Sequence, residues 1–321
     1  MKKLILTFVF AIVASVAAMT QQISVVSAGG STNIYSTLQE AIEGASANSV
    51  IYLPGGGFPI DDSVKITKKV TIIGIGHKIK GENADGYTTI TGNLFFNQGS
   101  DGSAVMGVYM TGNVNIGSNG KVDNVLVRYC NLNSVQVNNG TCMGTVVNQN
   151  YIRNNSYFNG ARCNFTNNIA HSVYNLDNGY IENNIITGSK STTYDGQHAL
   201  QGCDNTTIKG NVIFYTSQHY GSNCQIANNM SKSSWGTDAI NMGGSIDWGT
   251  VFVSNAGITP NSDYHFKGDY QKYNSQVGIY AGTGFSDSAL PPVPYIVAKQ
   301  IPEQTDANGK LNIKIRVRAG E

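Results

Sequence analysis

The sequence predicts an all-β fold: one right-handed parallel β-helix, closed at its start by a short helix and followed by a C-terminal β-hairpin. Three observations carry this. From about Val125 to Met230 one phrase keeps returning: an apolar residue, two residues, an asparagine and another apolar residue. Its asparagines, Asn131, Asn150, Asn168, Asn184, Asn211 and Asn229, fall 19, 18, 16, 27 and 18 residues apart. A fixed period near 18–20 with strand-type residues marks a stack of short coils. Second, an amphipathic stretch at Thr37–Ala45 precedes closely spaced strand segments. Third, the tail alternates cleanly, Leu311, Ile313, Ile315 and Val317 against Lys310, Asn312, Lys314, Arg316 and Arg318.

Lys2 and Lys3, the apolar run Leu4–Val16 and small residues through Ala18 read as a secretory signal peptide over 1–18, so export is expected. No later run has the length of a membrane span. The β-helix with its cap is assigned to 19–290, and a Pro-rich linker with the hairpin to 291–321. Ser36 or Thr37 with Gln39 or Glu40 makes a capping box, and Leu38, Ala41, Ile42 and Ala45 follow at helical spacing. This helix should seal the apolar end of the first coil. Strand segments follow at Val50–Leu53, Val64–Ile66, Val70–Ile73, Thr89–Ile90, Leu94–Phe96, Val105–Met110 and Val114–Ile116, and coiling is expected to reach about Val253. Right-handedness follows the general preference of parallel crossovers.

Within the repeat, an inward asparagine offers a donor and an acceptor without charge, so stacked coils can be joined amide to amide. Asn131 fits the slot only with a slip of one residue. The step from Asn184 to Asn211 is about nine residues too long, which places an excursion at Thr187–Gly202. Beyond the linker of Pro291, Pro292 and Pro294, the turn Asp306–Gly309 should join a hairpin with one face buried and one basic, covering the last coil or a sheet edge.

Leu38–Ile42, Val50–Pro54 and Val70–Gly76 resemble the opening of pectate-lyase-like right-handed β-helix proteins. Asp263–Lys267, Val277–Gly282 and Leu290–Pro294 resemble a tail of secreted β-helix repeat proteins of Bacteroidetes, with Tyr270–Gln276 standing where that family has a Ser-Pro-Ala-Ile stretch. The resemblance implies the fold and an exported protein whose partner is a polysaccharide or cell-surface glycan.

Composition narrows the chemistry. Charged residues make up 13% of the chain, and removing Lys2 and Lys3 takes the net charge of +1 down by two to −1. Nothing here steers toward nucleic acid. The five cysteines, Cys130, Cys142, Cys163, Cys203 and Cys224, show no metal-ligand spacing and read either as buried fillers or as bridges between adjacent coils. A monomer without cofactor is expected, calcium being the one ion the resemblance leaves open. The hydrolase pattern of the resembled family needs clustered aspartates and a Gly-His-Gly, which is missing. Asp123, Asp177, Glu182, Asp195 and Asp204 are expected on different columns of the repeat. Metal-free elimination on a uronate needs a base and a group that neutralises the carboxylate. Tyr194, His198 and His219 are the candidate catalytic residues, with Asp195, Tyr220 and Lys190 as candidate substrate contacts. A histidine near its ordinary pKa suits a base at neutral pH. The alternative is a non-catalytic glycan-binding or structural surface solenoid, with Tyr157, Tyr174, Tyr194 and Tyr220 as sugar platforms.

Overall fold

Coil follows coil from Ser49 to Asn241, and each strand pairs in parallel with its counterpart about one coil away. The computed structural model describes residues 21–77, 86–188, 199–214, 220–254 and 262–318, apart from 283, 288–289, 303 and 307. The leader at 1–18 therefore lies outside the described residues. An 11-stranded sheet forms one face of the solenoid. A 14-stranded sheet folds around the rest and splits into two wings. The corner between the wings falls inside single strands: Tyr151–Tyr157 pairs with Asn131–Leu132 at its start and with Gln136 at its end, with a bulge between Ile152 and Asn155.

The first sheet begins with a device the sequence did not signal. Ile23–Val26 and Thr32–Tyr35 form an antiparallel pair, and Ile23–Val26 runs antiparallel against the first coil strand at Ser49–Tyr52. Between them stands the expected helix, Leu38–Gly44. Thr37 Oγ1 accepts from Glu40 N at 3.2 Å, and Glu40 Oε2 accepts from Thr37 N at 3.2 Å. Leu38, Ala41 and Ile42 are fully buried and close the open end of the core. Capping a helix while burying its apolar face satisfies its free N–H groups and its hydrophobic stripe together.

The asparagine column is buried as expected. Asn184 Oδ1 accepts from Asn168 N at 2.8 Å and from Asn168 Nδ2 at 3.1 Å, and Asn184 Nδ2 donates to Phe165 O at 2.8 Å. Asn150, Asn211 and Asn229 repeat the pattern. One member is corrected. Cys130, not Asn131, fills the slot: its N–H donates to Asn150 Oδ1 at 3.0 Å and its thiol donates to Arg128 O at 3.1 Å. Asn131 begins the next strand, opposite Tyr151.

Coiling ends at Ile240–Asn241, not near Val253. Phe252–Ser254 instead pairs antiparallel with Asp263–Phe266. From there the chain runs back along the outside of the solenoid as a strap. It covers an outward apolar column, Tyr151, Ile169, Ile185, Val212 and Met230, with Trp248, Phe252, Tyr264, Phe266, Val277 and Ile279. Its hydrogen bonds go to residues just before ladder positions, which sit in left-handed backbone: Asn167 at φ 52°, Gly210 at 66° and Asn228 at 51°. Asparagine tolerates that conformation and brings a side-chain donor. Asn228 Nδ2 donates to Gln276 O at 3.1 Å, Gly278 N to Gly210 O at 2.7 Å, and Asn167 Nδ2 to Ile279 O and Ala281 O at 2.9 Å each. Farther back, Ser286 N donates to Gln149 Oε1 at 2.9 Å, and a Cβ on Gly107 would lie 2.7 Å from Pro291 Cγ.

The C-terminal hairpin, Tyr295–Gln300 with Lys314–Arg318, is antiparallel and turns at Asp306–Gly309. The expected buried face is corrected. Leu311, Ile313, Ile315 and Val317 are all exposed, and Pro291 of the linker before the hairpin lies against Gly107. Among its described residues only Tyr295 and Val297 are buried, clustered with Leu290.

All five cysteines are free thiols, four buried and Cys224 half-buried. Burial pushes the thiols of Cys130, Cys163 and Cys203 up from 9.0 to about 12. A thiol whose folded pKa is raised favours the folded state below the unfolded pKa and loses that contribution as pH rises through the folded value. Alkali should therefore destabilise the protein between pH 9 and about 12, and replacing Cys130, Cys163 and Cys203 by alanine should flatten that limb. In the native protein, iodoacetamide should label Cys224 first. Early labelling of Cys130 or Cys163 would contradict this burial.

Candidate functional site

Five of the six candidate residues, Lys190, Tyr194, Asp195, His198 and His219, lie outside the described residues. The described chain on either side fixes where their segments join the stack. Thr187 N donates to Ala170 O at 2.9 Å and Gly188 N to His171 O at 2.7 Å. On return, Leu200 pairs with Val173 and Gln201 with Tyr174. The excursion therefore ends before Ala199 rather than at Gly202, and 199–201 already belongs to the second wing. On the next coil the chain leaves after Phe214, whose N–H donates to Ile186 O at 3.0 Å. The sixth candidate, Tyr220, is half-buried, with its ring edge-on to Trp235 at 5.1 Å.

The second wing carries one outward column in strict register: Phe95, Asn115, Gln136, Tyr157, Tyr174 and Gln201. Alternation sets it, since Leu94, Phe96, Val114, Ile116, Val135, Val137 and Val173 point inward and are fully buried. Parallel rungs lie about 4.8 Å apart, so five steps span ~24 Å. The rings of Tyr157 and Tyr174 stand 5.1 Å apart at a 40° tilt, and Tyr157 is 38% exposed. Asn155 Nδ2 donates to the Tyr157 hydroxyl at 3.3 Å, and Ser172 Oγ donates to Asn155 Oδ1 at 2.5 Å. Partial burial, the main cause, raises the Tyr174 phenol pKa, so it is neutral at ordinary pH. At the other end, Lys65 Nζ sits 3.4 Å over the Phe95 ring.

Beside the column runs a second, partly exposed amide ladder. Asn93 Nδ2 donates to Asp62 Oδ1 at 2.9 Å, Asn93 Oδ1 accepts from Asn113 N at 2.7 Å, Asn133 Nδ2 donates to Asn113 Oδ1 at 2.8 Å, and Asn154 Nδ2 donates to Asn133 Oδ1 at 2.5 Å. The wing thus offers aromatic faces next to neutral donors and acceptors, the pairing that suits hydroxylated rings. Among the described residues no group of three or more histidine, cysteine, aspartate or glutamate residues is placed to hold a metal.

The carboxylates are not scattered as expected. Asp123 stacks on Asp101, and Asp204 on Asp177, in the turns leading into the first sheet. Each gives one oxygen to a backbone N–H of the next coil, so these four acids hold turns together. Among the described members of that set Glu182 stands apart, at the end of its strand, and Asp195 lies outside the described residues.

One dyad went unmarked in the sequence. His265 Nδ1 lies 2.8 Å from Asp263 Oδ1, its ring stacks on Tyr280 at 3.7 Å, and the Tyr280 hydroxyl donates to Asp287 Oδ1 at 2.7 Å. Burial raises the Asp263 carboxyl, but hydrogen bonds from the His265 backbone and ring outweigh it and hold it below its ordinary value. These residues belong to the strap, where they fasten two of its segments to each other.

Among the described residues no helix is long and apolar enough to cross a membrane. A scan against protein-family models, a search of curated proteins and a search of solved structures each return no significant match.

Proposed function

We propose that this is an exported solenoid that binds polysaccharide along the column through Tyr157 and Tyr174. In this reading the segments carrying Lys190, Tyr194, Asp195, His198 and His219 complete the site. The observation that supports it most directly is the Tyr157–Tyr174 pair. Two half-exposed rings share one flat column with Gln136 and Gln201, on the wing to which the 189–198 segment returns. The leader of basic, apolar and small residues supports export.

Retention on a panel of insoluble glycans tests the proposal, with absorbance of unsaturated uronate followed in the same samples. A ring contact of ~0.5–1.5 kcal/mol corresponds to as much as a tenfold change in affinity. Tyr157→Ala and Tyr174→Ala should each weaken retention by about that factor and leave the melting temperature unchanged. A wild-type protein that binds nothing on the panel overturns the reading, as does full retention by the double variant. Release of unsaturated uronate that vanishes in His198→Ala and His219→Ala would make the protein a lyase. Retention without turnover makes it a binder.

A further inference from the structure

The first sheet carries a groove that the column on the second wing does not account for. In the turn entering this sheet, Asp123 N donates to Asp101 Oδ1 at 2.8 Å, and Met143 N to Asp123 Oδ1 at 2.8 Å. Farther on, Asp204 N donates to Asp177 Oδ1 at 3.0 Å, and Asp204 Oδ1 receives Ser222 N at 2.5 Å. Between these two runs the acidic rung is missing, and Met143 stands in register with Arg162. A β-bulge between Met143 and Thr145 inserts Gly144 at that point. Gly144 sits at φ +73°, and a Cβ there would collide with the Asn124 amide. Bulges commonly re-aim side chains beside binding sites.

The resulting groove holds about 360 Å³ and is lined by Asp123, Asn124, Met143, Arg162, Asn164 and Tyr180. Met143 is 46% and Tyr180 44% exposed. Asn164 pairs with Tyr180 across the sheet, and Arg162 lies two residues before Asn164 on the same face. Arg162 and Tyr180 are therefore diagonal neighbours, within reach of each other's long side chains. Lys121 is already held by Asp123 Oδ2 at 2.6 Å. The Arg162 guanidinium makes no hydrogen bond or ion pair with the described residues.

A planar cationic fork beside an aromatic face and two neutral amides matches one kind of ligand: a hydroxylated ring bearing an anion. We infer that this groove binds a single acidic sugar residue. Its carboxylate or sulfate would engage Arg162, its apolar face Tyr180, and its hydroxyls Asn124 and Asn164. This site is separate from the Tyr157–Tyr174 column and stands whether or not that column binds glycan.

Ligand-observed NMR on the full chain tests it, with methyl glucuronide, the 6-sulfate of methyl glucoside and neutral methyl glucoside as probes. At least one anionic probe should bind tenfold or more tightly than the neutral one, and added salt should weaken it. Comparing the two anions tells which source the site prefers. Arg162→Ala should abolish the preference, Arg162→Lys should reduce it by severalfold, and Tyr180→Ala should weaken every probe. The Tyr157→Ala, Tyr174→Ala double variant should leave these affinities unchanged, which separates this test from the one on insoluble glycan. Equal binding of neutral and anionic probes overturns the inference. So does undiminished binding by an Arg162→Ala protein with wild-type melting.

Discussion

Replacing Asn184 with leucine is expected to cost about 2–6 kcal/mol, taking ~1–3 for each of the two buried polar groups left without a partner. The Asn168 N–H and the Phe165 carbonyl lose theirs, and the Asn168 amide loses one of two acceptors, keeping Val147 O. All lie in fully buried surroundings, where water cannot replace the missing bond. The comparison that isolates the effect is Asn223→Leu. Asn223 is a turn asparagine too, but unlike Asn184 it sits in left-handed backbone, it is exposed, and its one side-chain bond, to Asn205 Oδ1, is 3.4 Å long. That change should cost only about 1–2 kcal/mol, the strain of a leucine in left-handed backbone. Chemical denaturation of both variants decides the point, and equal costs would mean that the buried column does not hold the coils.

Ending the chain after Met242 is expected to have the larger effect. It uncovers Tyr151, Ile169, Ile185, Val212 and Met230, which are 0–1% exposed in the intact protein. At ~1.5–3 kcal/mol for each side chain returned to water, the loss is roughly 8–15 kcal/mol, comparable to the whole stability of an ordinary domain. The truncated chain should aggregate, or bind a hydrophobic dye that the full chain ignores. A monodisperse truncated protein that melts like the full chain would show the strap to be ornamental. A milder probe is Phe252→Ala, which removes a fully buried ring stacked on Phe266 at 5.0 Å and should cost about 3–5 kcal/mol.

The stack could be read from the chain because every coil obeys the same constraint, so Asn150, Asn168, Asn184, Asn211 and Asn229 announce themselves by spacing. Cys130 was harder to see, since a thiol can donate from the same slot without resembling an asparagine. The strap has no period of its own. Its one visible trace was the doubling in Asn167–Asn168 and Asn228–Asn229, where the first asparagine serves the strap and the second the core. In the hairpin, alternation specified two faces but not what either would meet. Tyr157 and Tyr174 could be named as candidate platforms, yet their pairing depends on a register carried around a bulged corner, which no local pattern encodes. Arg162 was visible as one cation among several. Tyr180 was missed, because its place beside Arg162 depends on the register that sets Asn164 against Tyr180 in the next coil.

The strap also sets an order of events. Coils join across one period, so they can zip up from any nucleus as the chain grows. The strap instead closes contacts 112, 114 and 137 residues back along the sequence. Such loops are slow to close, and they cannot begin to close until the far end has been made. Until then the apolar column stays wet on an otherwise finished solenoid. The strap thus works as a clasp that only a polypeptide reaching as far as Ser286 can fasten, and a copy interrupted before it advertises itself by the stripe it leaves bare.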